Sequence, residues 1–210
     1  MTTYRDRAEA GQRLADRLTD LAGRPDVIVL GLVRGGVHVA RVIAERLGAP
    51  LDVLVVRKLG VPWAPEVAYG ALGPDGVEVL NEMVAGRLSD ADKAEVRQRE
   101  QAELDRRERR YRAGRSPLDL AGRTAVIADD GLATGATARA AVQVARHLGA
   151  ARVVVAVPVG SDQAYEMLAA EADQVVILET PPDFMAVGAY YEDFHEVSDD
   201  EVTEALTATA

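Results

Sequence analysis

The chain should fold as an α/β protein, with a doubly wound, mostly parallel β-sheet flanked by helices. Three features point there. Short β-branched runs alternate with helical segments along most of the chain. Those runs are apolar throughout instead of alternating with polar residues, as strands covered on both faces must be. Glycines, Gly48 and Gly149, close two of the helical segments, where the chain needs a left-handed residue to turn out of the helix.

The elements follow in order. Tyr4 to Leu21 has helical spacing, with Leu14, Leu18 and Leu21 on one side. Val27 to Leu30 is a strand, followed by Gly31-Leu32-Val33-Arg34-Gly35-Gly36 and a helix over Val37 to Leu47. Leu51 to Val56 is a second strand. Thr124 to Ala128 (strand), Thr137 to Leu148 (helix), Arg152 to Val157 (strand), Gln163 to Ala170 (helix) and Gln174 to Leu178 (strand) complete the alternation.

Two regions break this rhythm. Arg57 to Gly76 holds three prolines and four glycines without a clear period, so residues 57–80 read as a long loop with a hairpin continuing to Leu80. Residues 90–112 read as an inserted charged helix with a solvated face. There Glu95/Arg99, Glu103/Arg107, Asp105/Arg109 and Glu108/Arg112 are acid-before-base pairs four apart. No internal repeat or linker divides the chain, so 1–210 reads as one domain.

Composition narrows the class of function. Hydrophobic residues make up 48% but aromatics only 4%, so the core must be built from Val, Leu, Ile and Ala. The absence of cysteine excludes disulfides and thiolate metal sites, and it fits a reducing cytoplasm. No apolar stretch approaches the ~20 residues that span a bilayer. A net charge of -10 argues against broad nucleic-acid binding. The expectation is a cytoplasmic protein with a small-molecule substrate and neither nucleic acid nor membrane as partner. A homodimer is left open.

The chemistry concentrates in Val126-Ile127-Ala128-Asp129-Asp130-Gly131-Leu132-Ala133-Thr134-Gly135-Ala136-Thr137. An apolar strand delivers two adjacent carboxylates to its carboxyl end, where open α/β sheets bind ligands. Ala133, Thr134, Gly135 and Ala136 are small enough for their backbone N–H groups to approach a phosphate. The following helix adds unpaired donors and its positive end, and Thr134 and Thr137 add hydroxyls. Asp129 and Asp130 are poor phosphate ligands but suit the hydroxyls of a ribose. The string lacks both the GxGxxG spacing of dinucleotide folds and the GK[ST] ending of a P-loop. A nucleophilic cysteine and a GxSxG elbow are also missing, which counts against a hydrolase.

This motif resembles the signature of the type I phosphoribosyltransferases, and element order matches from about Val27 to Leu178. The resemblance implies a transferase of the pentosyl class. It would move 5-phosphoribosyl from 5-phosphoribosyl-1-pyrophosphate (PRPP) to a nitrogenous acceptor and release pyrophosphate. Asp129 and Asp130 would bind the ribose hydroxyls, and Ala133, Thr134, Gly135, Ala136 and Thr137 the 5′-phosphate. Mg²⁺ would sit mainly on the diphosphate and the ribose hydroxyls, with Asp129 and Asp130 as the candidate carboxylates on the metal side.

By the same resemblance, Val33, Arg34 and Gly35 form the pyrophosphate loop, with Val33–Arg34 matching a bond that is often cis in the family. Arg57 would bind diphosphate; Arg34 and Lys58 would stabilise the charge that develops on it. Residues 57–80 would be a flexible lid carrying Trp63, with Glu66 the candidate for proton transfer. Residues 180–210 would be a C-terminal hood. Its aromatics, from Phe184 to Phe194, either stack on a base or pin the segment to the core. One departure bears on substrate: Ala133 stands where the enzymes acting on 6-oxopurines typically carry an aspartate, which weakens a hypoxanthine or guanine assignment. That gap motivates an alternative, a non-catalytic PRPP-binding sensor.

Overall fold

The computed structural model describes residues 3–207, so the outermost residues of the expected 1–210 domain, and residues 208–210 of the expected 180–210 segment, lie outside the described residues. A five-stranded parallel sheet holds the molecule together. Its strands are β1 (Val27–Leu32), β2 (Leu51–Leu54), β6 (Thr124–Ala128), β7 (Arg152–Val159) and β8 (Gln174–Glu179), in the order β2-β1-β6-β7-β8. Because side chains alternate across a strand, β1 sends Val27 and Val29 into one apolar cluster and Ile28, Leu30 and Leu32 into another. Helices α1 (Arg7–Ala15) and α2 (Gly36–Leu47) cover the first face; α5 (Ala136–His147) and α6 (Asp162–Ala169) cover the second. Each fully buried Leu or Ile in these layers contributes about 1.5–3 kcal/mol.

The expected first helix is shorter than its apolar pattern. It stops at Ala15, and Thr19–Leu21 forms a separate 3-10 turn that still buries Leu18 and Leu21. The largest departure is in 57–80. The hairpin read to Leu80 is part of a larger antiparallel sheet of β3 (Arg57–Val61), β4 (Ala64–Leu72) and β5 (Glu78–Leu80), which takes in the stretch read as a loop. The prolines and glycines that hid it sit at the turn and at a bulge. Gly60 lies at the register shift, where a Cβ would come within 2.7 Å of the Pro65 carbonyl. Trp63 is on the tip of this hairpin and is 67% exposed.

After a short α3 (Glu82–Ala85), the charged segment is a single helix, α4 (Asp90–Arg112), with a Ser89 cap accepting from Asp92 N–H. It is less solvated than its composition implies. Val96, Glu100, Leu104 and Tyr111 form a buried stripe, and Arg112 donates to Asp52 of β2. Of the four pairs read from the sequence, Glu103–Arg107 and Glu108–Arg112 are present. Arg99 turns to Glu100, and Asp105 accepts from Gln101. The basic end of α4 instead meets α7 (Asp199–Thr207): Tyr111 and Arg106 donate to Asp199, and Arg110 to Asp200.

Candidate active site at the sheet switch point

From β1 the chain crosses through α2 to β2 on one flank. From β6 it crosses through α5, β7 and α6 to β8 on the other. The crevice between the carboxyl ends of β1 and β6 is therefore the switch point of the sheet, the place where open α/β sheets bind ligands. Register fixes what lies there. Gly31 of β1 pairs with Ala128 of β6, so the loop at 33–35 and the loop at 129–135 leave the same edge side by side. Leu32 pairs with Leu54 of β2, which puts Arg57, three residues further on, beyond that same edge.

The first two loops are in van der Waals contact. A Cβ on Gly35 would lie 1.9 Å from Asp130 Oδ2, and one on Gly36 would lie 2.9 Å from Asp129 Oδ1. Only glycine allows this approach. The Val33–Arg34 peptide bond is cis, as the resemblance implied. Asp129 Oδ1 also accepts from the Asp130 N–H at 2.9 Å. Burial, joined by the like charge of Asp130, pushes the Asp129 carboxyl well above the usual carboxylate range. Burial pushes Asp130 up too, and Arg7 opposes it.

Arg7 was not singled out in the sequence. Its Nε donates to Asp130 Oδ2 at 2.9 Å, and Nη1 donates to the His195 carbonyl at 3.0 Å. A signal was present: Arg7, Ala10, Gly11 and Leu14 all occupy the buried face of α1, so helical spacing puts Arg7 inside.

The loop 133–137 has the form expected of an anion cradle. Ser161 donates to the Ala133 carbonyl at 2.8 Å, and the Leu132 carbonyl accepts from Ser161 N–H. These bonds hold the loop by its carbonyls, and Ala133, Thr134 and Thr137 remain exposed. Gly135 turns into α5 with φ +73, and a Cβ there would meet Ala164 at 3.1 Å. Thr134 Oγ1 accepts from Ala136 N–H at 3.4 Å, leaving α5 to present its first turn outward.

The cations are held by protein carboxylates. Arg34 pairs with Glu196 and, at 4.0 Å, with Asp199. Arg57 donates Nε and Nη2 to Glu100, and Lys58 lies 3.4 Å from Glu66. Glu66 stands on β4 at the rim of a cavity of about 490 Å³ that also reaches Ala136, near the end of the 133–137 loop. Val33, Arg34 and Gly35 are thus brought together with Asp129 and Asp130. Arg57 and Lys58 leave opposite faces of β3, Arg57 towards Glu100 of α4 and Lys58 towards Glu66 of β4.

The aromatics of the C-terminal segment pin it down. Tyr190 and Tyr191 are buried, Tyr4 packs on Tyr191, and Tyr191 OH donates to the Asp130 carbonyl at 2.6 Å. Among the described residues, no group of three or more His, Cys, Asp or Glu is placed to hold a metal ion. Among the described residues, no helix is long and apolar enough to cross a membrane.

Comparison with known proteins agrees with this geometry. Residues 53–194 match the family model of the phosphoribosyl transferase domain. The solved structure of TT1426 from Thermus thermophilus is 46% identical, covers 100% of both chains and superposes with a TM-score of 0.93. A Mycobacterium tuberculosis protein named as a phosphoribosyl transferase, Rv0571c, is 55% identical over 208 residues, which is 98% of this chain and 47% of that one. The chain thus spans about half the length of the Mycobacterium relatives it matches. The bifunctional protein PyrR of Chloroflexus aurantiacus is 33% identical over 145 residues, 68% of this chain and 74% of that one. With the twin acids, the small-residue loop and the glycine loop all at the switch point, the chain belongs to the type I phosphoribosyltransferase family.

Proposed function

We propose that the crevice binds PRPP and that the protein transfers its phosphoribosyl group to a nitrogenous acceptor, releasing pyrophosphate. The observation that carries this reading is the closure of Gly35 and Gly36 onto Asp130 and Asp129 at the switch point. On this reading the Gly35–Gly36 loop supplies donors for a diphosphate next to acceptors for ribose hydroxyls, and the 133–137 amides, further along the loop that carries Asp129 and Asp130, take the 5′-phosphate. Mg²⁺ would enter with the diphosphate, held mainly by that group and the ribose hydroxyls, with Asp129 and Asp130 on the metal side.

Breaking the C1–O bond places positive charge on the sugar and negative charge on the leaving group. Arg34 and Lys58 are the candidates to meet that negative charge. Their present partners are weak competitors: Glu196 and Glu66 are mostly exposed, and such pairs are worth at most about 1 kcal/mol. Arg57 is held more firmly, because Glu100 is 8% exposed. Its role in binding diphosphate is to present an edge fixed by α4. Glu66 would exchange a proton with the acceptor from the rim of the neighbouring cavity.

The direct test is incubation with PRPP, Mg²⁺ and a panel of purine and pyrimidine bases and amines, reading pyrophosphate release. Release that depends on one acceptor class supports transfer; no release with any acceptor counts against it. The second reading, a PRPP-binding sensor without turnover, is favoured by Ala133, which cannot move a proton. Saturable PRPP binding with no release across the panel would select it.

A further inference from the structure

We infer that Arg7 is a positioning residue for the ribose-binding carboxylate of Asp130, joining that carboxylate to the C-terminal segment; this rests on the PRPP reading above. Arg7 belongs to α1, far in sequence from the motif, yet its guanidinium is the ion-pair partner of Asp130. The side chains are 8% and 16% exposed, so water screens the pair little. The Nε–Oδ2 bond of 2.9 Å is a charge-assisted contact to one carboxylate oxygen.

The guanidinium is fixed in turn from the other side. It lies 4.2 Å from the centroid of the Phe194 ring, and Nη1 donates to the His195 carbonyl at 3.0 Å. Tyr191 OH grips the Asp130 carbonyl at 2.6 Å. Two residues of the C-terminal segment therefore hold Arg7, and a third holds the backbone of its partner.

Geometry explains why the site needs such a residue. The glycine loop, the Asp130 carboxylate and the Arg7 guanidinium meet at one point: a Cβ on Gly35 would lie 1.9 Å from Asp130 Oδ2 and 3.1 Å from Arg7 Nε. The guanidinium therefore decides where that carboxylate stands against the loop. A carboxylate held in place before the ligand arrives saves the cost of ordering it on binding. Asp6, His38 and Arg41 on one side and Asp193 and His195 on the other line the cavity beside Arg7.

The test compares the unmodified chain with Arg7→Met and Arg7→Lys. Calorimetry with PRPP and Mg²⁺ should show affinity falling about tenfold in Arg7→Met, with Arg7→Lys restoring most of it, while inorganic phosphate binds all three proteins alike at the 133–137 loop. Thermal melts report the fold of each variant. Unchanged PRPP affinity in Arg7→Met overturns the inference. So does a joint loss of PRPP and phosphate affinity with a lowered melting temperature, which is what a purely structural role would give. No PRPP binding by the unmodified chain overturns the PRPP reading instead, and with it the positioning role.

Discussion

Asp129 illustrates what single residues contribute. Its carboxyl has a folded value well above the unfolded value of 3.8, because burial and Asp130 disfavour its charge. Below that unfolded value both states are protonated and nothing is at stake. As pH rises from there through the raised folded value, the unfolded state ionises first, and stability is lost. Asp129→Asn should therefore raise the melting temperature near pH 8 by a few degrees and have no effect near pH 3, while weakening PRPP binding. Thermal melts at the two pH values check it; a destabilised variant at pH 8 would show that the carboxylate is held by attractive contacts instead. Gly35 makes the complementary point. Gly35→Ala would drive a methyl into Asp130 Oδ2 and should cost about 1–3 kcal/mol by overpacking, with reduced PRPP affinity. Denaturant unfolding and calorimetry measure both effects.

Elements decide where these residues stand. Gly135, at φ +73 and against Ala164, makes the turn from the loop after Asp130 into α5. Gly135→Ala should cost about 1–2 kcal/mol for the left-handed backbone alone and misdirect the α5 amides. Inorganic phosphate affinity, followed by calorimetry, should drop with the stability. The strand–acids–loop–helix string was legible because every part of it is local, and β6 and the glycine loop after β1 lie where their apolar runs put them. The sheet at 57–80 was legible only as a hairpin running to Leu80. Its pairing is antiparallel and interrupted by a bulge at Gly60, so turn-forming residues masked the strands. Arg7 escaped for a different reason: its partner is 123 residues away, and only the buried face of α1 hints at it. The partners of Arg34 and Arg57, Glu196 and Glu100, are likewise products of tertiary packing that no local pattern encodes.

At the scale of the whole molecule, the N-terminal and C-terminal segments of the described residues meet beside the crevice. Tyr4 pairs with Tyr191, Arg7 bonds to His195, and α7 lies against α4. His195 adds a pH-sensitive contact, since Nε2 faces Glu201 at 2.9 Å and Nδ1 faces Asp193 at 3.1 Å. Those carboxylates hold its imidazole above the ordinary 6.5. The contribution of these bonds is complete below 6.5 and is lost as pH rises through the raised value. Hydrogen exchange of residues 191–201 should quicken between about pH 6 and pH 9 beyond the intrinsic rate, and His195→Gln should abolish that excess. An unchanged excess would detach His195 from the closure of the segment.

The central claim is that the carboxylates and the two loops form one ligand site. Calorimetric titration of PRPP with Mg²⁺ into the unmodified chain and into Asp130→Asn tests it most directly. The account predicts saturable binding to one site per chain, weakened at least tenfold in Asp130→Asn while inorganic phosphate still binds the 133–137 loop. Equal PRPP affinity in the two proteins would contradict it.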